Sequence, residues 1–195
     1  MSESSKRVRH KFRGSKAKRI RRLKLEQQKK SRCDLTDLKK EIKKAKKEKK
    51  AMKSTTITNF MKCCPNFAGC FPEDSLHNLV IQSFPCFIIV NTDSSDMPGS
   101  HWIALGIFKS RIEIFDSLGF QILNWPRIPC SMLNFLHKFS QTRRIVVSRR
   151  IQSDDSVLCG YFCIFYILFR HFSSLSYLLS FFDIVNNDDT LIKFF

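Results

Sequence analysis

The sequence predicts an α+β domain, a small mixed sheet flanked by helices, preceded by a basic arm. Three observations carry this. Between residues 86 and 115 three apolar β-type runs follow one another across turn signals. Between residues 130 and 170 the apolar spacing becomes that of helices. The charge is confined to one end: residues 1–53 hold 23 of the 34 Lys and Arg but only 6 of the 17 acids, so the excess of +17 falls there and the remainder is neutral. At 195 residues the chain is long enough for one domain with a proper core, expected over residues 55–195 behind an arm at 1–54.

Residues 1–32 are rich in Lys, Arg and Ser and poor in large apolar side chains, which predicts disorder. Over residues 34–53, Asp34 or Thr36 can cap a helix, and Leu35, Leu38, Ile42 and Ala45 fall near helical spacing, although Lys neighbours three and four apart repel. Thr58 can cap a short helix that Pro65 ends, and residues 72–76 suggest another helical turn. Residues 86–91 form a continuous apolar run, the pattern of a strand covered on both faces. After a Ser, Asp, Pro and Gly loop at 93–99, residues 101–108 and 111–115 read as a hairpin turning at Lys109-Ser110. Residues 126–129, bracketed by prolines, open a helical segment carrying Met132, Leu133, Phe135, Leu136 and Phe139; Ile145-Val146-Val147 is a further strand. Polar residues 152–156 lead into an apolar helix from Cys159 to about Arg170, followed by helices at 173–182 and 188–195.

The apolar run at 157–169 is thirteen residues long, short of the ~20 a bilayer crossing needs, so a buried core helix is expected and no membrane partner. The eight Cys and the charged, leaderless N-terminus predict reduced thiols in an intracellular protein. Cys63, Cys64, Cys70 and His77 match no common zinc spacing, so no metal or other cofactor is expected.

Three patches carry chemistry: His101-Trp102, then Asp116-Ser117-Leu118-Gly119, then Gln152 ahead of Leu158-Cys159-Gly160. They supply the imidazole, carboxylate, amide and thiol that a cysteine hydrolase needs. A thiolate attacks, a neighbouring imidazole takes its proton, a carboxylate fixes that ring, and an amide with a backbone N–H holds the oxyanion. Cys159 is the expected nucleophile, placed where a helix N-terminus favours a thiolate. His101 is the base, Asp116 the orienting acid and Gln152 the oxyanion donor. The hairpin puts the strand start at His101 and the strand end at Asp116 on one edge of the sheet. Cys163 is read as structural, and His10, His77, His137 and His171 as bystanders. Asp93 and Asp96 are expected in solvent, and Asp154 and Asp155 in a turn.

Residues 99–104, 114–119 and 152–163 resemble the papain-like cysteine proteases that include the adenovirus maturation protease and the ubiquitin-like-protein-specific proteases. The likeness covers about residues 58–190, and the order His, Asp, Gln, Cys matches. The seven-residue step from Gln152 to Cys159 is closer to the adenovirus-type branch. Residues 66–71 with Asp74 and Leu76 are similar to proteases of adenovirus-like mobile elements (the Polinton or Maverick class). Asp116 stands where adenovirus-type enzymes often carry Glu. The resemblance implies a papain-like fold, a thiol endopeptidase with protein or peptide substrates, a shielding role for Trp102, and processing of viral or mobile-element precursors. Removal of SUMO- or ubiquitin-like modifiers is the alternative; a nucleic-acid-binding protein with a degenerate protease domain is the alternative of another class. The cluster at residues 18–24 reads as a nuclear address or as a phosphate-binding surface, giving nucleic acid as a partner through residues 1–53 and a nuclear location. On that reading, removing the arm spares hydrolysis.

Overall fold

The computed structural model describes residues 16–27, 35–119, 130–184 and 186–195. His10, Cys33 and the proline-bracketed segment at 126–129 lie outside the described residues. Disorder does not hold at 16–27, which form a helix, α1. Its Ile20, Leu23 and Gln27 are buried, three and seven residues apart on one stripe. The Arg19 guanidinium lies 4.6 Å from the Tyr177 ring centroid and 4.8 Å from that of Phe181, and its Nε donates to Tyr177 Oη at 3.2 Å. Cation–π stacking and apolar burial thus offset the repulsion within the basic sequence.

Helix α2 (Leu35–Glu48) follows the expected spacing: Leu35, Leu38, Ile42 and Ala45 are its buried residues. They join the same apolar cluster as the helix that begins at Cys159, so the expected boundary near Ser54 separates compositions, while residues on both sides of it pack in one core. Helix α3 (Ser54–Met61) starts four residues earlier than Thr58 suggested.

The sheet has five strands in chain order: β1 (Phe67–Pro72), β2 (Cys86–Asn91), β3 (Trp102–Ile107), β4 (Arg111–Phe115) and β5 (Arg144–Val147). The β1–β2 and β4–β5 pairs are parallel, and β2–β3 and β3–β4 antiparallel, so the sheet is mixed. Alternation sorts its side chains. Phe87, Ile89, Trp102, Ala104 and Phe115 face one core; Ile88, Val90, Ile103, Leu105, Ile107, Ile112 and Ile114 face the other. Helix α4 (Cys130–Ser140) supplies Met132, Phe135 and Leu136 to the second core. Helix α5 (Cys159–Arg170) fills the first, and every one of its residues is buried. No helix among the described residues is long and apolar enough to cross a membrane. Helices α6 (Leu175–Leu179) and α7 (Asp188–Phe194) close the chain, α6 being shorter than the expected 173–182.

A buried ion pair, Glu113 with Arg170, enters the first core. Glu113 of β4 accepts from Arg170 Nε at 2.6 Å, Arg170 Nη2 at 2.7 Å, Arg111 Nε at 2.7 Å and Tyr166 Oη at 2.9 Å. Burial pushes its carboxyl up, yet the two arginines hold it below the ordinary glutamate value. Together with the stacked rings of Phe115 and Tyr166, 4.7 Å between centroids, this fixes α5 against the sheet.

Candidate active site

His101 immediately precedes β3 and Asp116 immediately follows β4. The antiparallel register, which pairs Ala104 with Phe115, brings those two strand ends together. His101 Nε2 lies 2.8 Å from Asp116 Oδ1, with both residues buried. Cys159 opens α5, which packs on β3, and its side chain lies close enough to the same imidazole to help raise the ring's pKa. The ring therefore stands between a carboxylate and a thiol. Burial alone would lower its pKa. The bond to Asp116 and the nearby Cys159 outweigh that and hold it up, at about 9, so the ring is an imidazolium at neutral pH.

The acid is fixed from several sides. Asp116 Oδ1 also accepts from the Leu118 N–H at 2.9 Å. The Ser148 hydroxyl accepts from the Asp116 N–H at 2.8 Å and donates to its carbonyl at 2.7 Å. The turn that follows closes through Gly119 N–H to Asp116 O at 3.0 Å. Gly119 has φ +66°, and a Cβ there would come within 2.3 Å of the Arg150 nitrogen. Only glycine fits this crossing.

Gln152 is buried, with both ends of its amide held. Ser117 Oγ donates to Oε1 at 2.5 Å, and Nε2 donates to Ser156 O at 2.7 Å. Nε2 carries a second hydrogen besides the one given to Ser156 O. The Ile151 and Gln152 N–H groups both donate to Ser117 O at 2.8 Å, which ties this loop to the turn beside Asp116. The α5 N-cap, Leu158, makes no side-chain cap bond, so the first turn of α5 keeps its dipole beside the sulfur.

Trp102 donates through Nε1 to Met52 O at 2.9 Å, and the Trp102 carbonyl accepts from Cys163 Sγ at 3.3 Å. A Cβ on Gly160 would meet Met52 Cβ at 3.2 Å and Trp102 Cδ1 at 3.3 Å. The residue after the thiol is thus small where the segment leading out of α2 passes over it. Cys163 is fully buried and its thiol is pushed well above the ordinary value by desolvation, which keeps it protonated.

The remaining candidates lie elsewhere. His77 bonds Asp74 O at 2.6 Å, and His171 packs edge-on to Phe87 with Nε2 3.8 Å from Cys64 Sγ. Asp93 accepts from Ser100 Oγ at 2.8 Å, Asp96 is bonded by Ser94 Oγ, and Asp154 pairs with Arg150 at 2.6 Å. Sequence reasoning missed three contributors. Ser117 read only as a turn residue. Ser148 and Met52 lie 32 and 50 residues from the groups they hold, so nothing local announces them.

The protease of Ovine adenovirus D serotype 7 (isolate OAV287) is 34% identical over 93 residues, covering 43% of this chain and 46% of that protein; the chain spans about half the length of this curated relative. Among solved structures, the ASFV pS273R protease aligns over 56% of this chain and 43% of its own, at 26% identity and TM-score 0.41. The C-terminal Ulp1 protease domain, solved in complex with Smt3, the yeast ortholog of SUMO, aligns over 78% of this chain and 77% of its own, at 17% identity and TM-score 0.41. The family model of the adenovirus endoprotease matches residues 67–187, more than half of the sequence, and on that match the chain belongs to the adenovirus endoprotease family.

Proposed function

We propose that the chain hydrolyses peptide bonds as a thiol protease. The observation that carries this is the imidazole of His101 held between the Asp116 carboxylate, at 2.8 Å, and the Cys159 thiol. The sulfur reacts as a thiolate, the form that a neighbouring imidazolium and a helix N-terminus favour. It attacks the scissile carbonyl carbon, forming a C–S bond and a tetrahedral oxyanion. Gln152 Nε2–H and the Cys159 backbone N–H are the donors aimed at that oxygen. The oxyanion collapses, the C–N bond breaks, and His101 gives its proton to the departing amine. Water, deprotonated by the now neutral ring, then cleaves the thioester and restores the thiol pair. Asp116 keeps the ring oriented and offsets its charge throughout.

Membership in the adenovirus endoprotease family favours precursor processing in a virus or virus-derived element over removal of a ubiquitin-like modifier. Peptide substrates assayed beside modifier–fluorophore fusions separate the two. A nucleic-acid partner is supported by the exposed lysines of α2, including Lys40, Lys43, Lys44 and Lys47, and by the exposed Lys18, Arg21 and Arg22 of α1. The domain is proposed to extend back through α2, because that helix shares the core of α5.

The decisive experiment is labelling with an electrophilic thiol probe and hydrolysis assays of Cys159→Ala beside Cys163→Ala. Hydrolysis and the labelling at residue 159 are expected to disappear in the first and persist in the second, with the exposed Cys63 and Cys130 labelled in both. The reverse result removes Cys159 from the role.

A further inference from the structure

Two adjacent residues at the start of α7 grip both ends of the loop that carries Gln152. Asn187, fully buried, donates through Nδ2 to Ile151 O at 2.8 Å. The half-buried Asp188 accepts through Oδ1 from Ser156 Oγ at 2.9 Å. Ser156 is the hub of the loop: its carbonyl accepts from Gln152 Nε2 at 2.7 Å, and its hydroxyl accepts from the Leu158 N–H at 3.3 Å, one residue before the thiol. The connection therefore runs from α7 to Ser156 and divides there, one branch reaching the amide and the other the residue beside Cys159. Lys46 of α2 anchors the neighbouring Asp189 at 2.8 Å, so this end of α7 is itself fastened to the body.

Resting on the protease reading, we infer that Asp188 is a positioning residue for the oxyanion donor, acting on Gln152 through Ser156. It touches no reacting atom. Its carboxylate fixes the rotation of the Ser156 side chain, which fixes the peptide whose oxygen holds Gln152 Nε2. Without that acceptor the loop keeps its bonds to Asn187 and Ser117 at the Ile151–Gln152 end but loses its fastening at the Ser156 end. The amide then samples orientations in which its outer hydrogen misses the oxyanion. The imidazole is held by Asp116 and the thiol is carried by the first residue of α5, so both stay in register.

Two reagents separate these functions. Acylation by p-nitrophenyl acetate forms a C–S bond, passes through a tetrahedral oxyanion and expels p-nitrophenolate. Alkylation by iodoacetamide forms a C–S bond at a methylene and expels iodide, with no oxyanion. In the full chain, Asp188→Ala is expected to slow acylation by up to about a hundredfold, the lower end of what losing an oxyanion donor costs, and to leave alkylation at the wild-type rate. Asp188→Asn, which keeps an acceptor oxygen, is expected to restore acylation. Ser156→Ala should reproduce the Asp188→Ala rates, and the double variant should be no slower than either single one, as for two residues acting through one bond. A melting curve for each protein registers folding, and if Asp188→Ala fails to fold, Asp188→Asn and Ser156→Ala carry the comparison. An unchanged ratio of acylation to alkylation in the folded variants, or equal losses in both reactions, overturns the inference. Undiminished acylation and alkylation in Cys159→Ala instead overturn the protease reading and the inference with it.

Discussion

Helices α5 and α2 occupy the same core by opposite means. Helix α5 is covered on all sides, and its position is set by Phe162, Phe165, Tyr166 and Phe169 packing in every direction. Helix α2 reaches the core with four apolar residues on one stripe and carries lysines on the rest. The first has one place it can go; the second is held by a narrow seam and by Lys46 bonded to Asp189. Yet the segment leaving α2 delivers Met52 to Trp102 and Gly160, next to the thiol. Burial on all sides is therefore not a prerequisite for bearing on the site, and a basic sequence is not by itself an appendage.

Removing residues 1–53 is the most severe way to break this comparison. The sequence alone suggested that hydrolysis survives the cut. The structure makes the opposite the expectation. Loss of Leu38, Ile42 and Met52 uncovers the first core, and the Trp102 N–H loses its acceptor. Activity should fall to a small fraction of wild type with a lowered melting temperature, read in parallel on the same samples. Full activity in the truncated chain would mean that α2 is dispensable.

A single side chain tests the seam more gently. Leu38→Ala is expected to destabilise by about 2–5 kcal/mol, the range for a buried leucine truncated in a core, measured by urea unfolding. A loss under ~1 kcal/mol would show that α2 packs loosely.

The pH dependence sharpens the α5 end. With His101 raised to about 9, the imidazolium that protonates the departing amine is lost above that value, so activity should decline on the alkaline side through about pH 9. The same proton is bound more tightly in the folded chain than in the unfolded one. Its stabilising contribution is thus complete below the ordinary histidine value near 6.5 and gone above about 9. The stability difference between wild type and His101→Ala should shrink as pH rises across that window, and a difference that grows would contradict it.

The smallest effect belongs to Lys46→Ala. The pair with Asp189 is largely in solvent, so at most about 1 kcal/mol is expected, diminishing with added salt.

Much of this was written in the chain, and the exceptions have physical causes. Strands β2, β3 and β4 were legible because continuous apolar runs met clear turn signals, and α5 because its apolar stretch began at a Gly-flanked cysteine. Residues 67–72 escaped notice as a strand. Gly69 and Pro72 disfavour one, the register breaks between Phe67 and Gly69, and only pairing with β2 makes them extended. Helix α1 was hidden because Ile20 and Leu23 are diluted by nine Lys and Arg between residues 16 and 32, and the apolar cluster they join, which includes Phe181, lies far along the chain. His101, Asp116, Gln152 and Cys159 could be named from residue type and order. The hydroxyls of Ser148 and Ser156, which steady the acid and the loop, could not, because serines of that kind are indistinguishable from solvent-facing ones until the fold closes.

The turn after β4 has a consequence for how this site can vary. Neighbouring residues there serve two different needs: the carboxylate of 116 reaches the ring, and the hydroxyl of 117 reaches the amide. One peptide unit is a common mount for both. An insertion or deletion between Phe115 and Gly119 would displace the support of the His101 ring and the support of the Gln152 amide together. The two supports can therefore drift only as a unit.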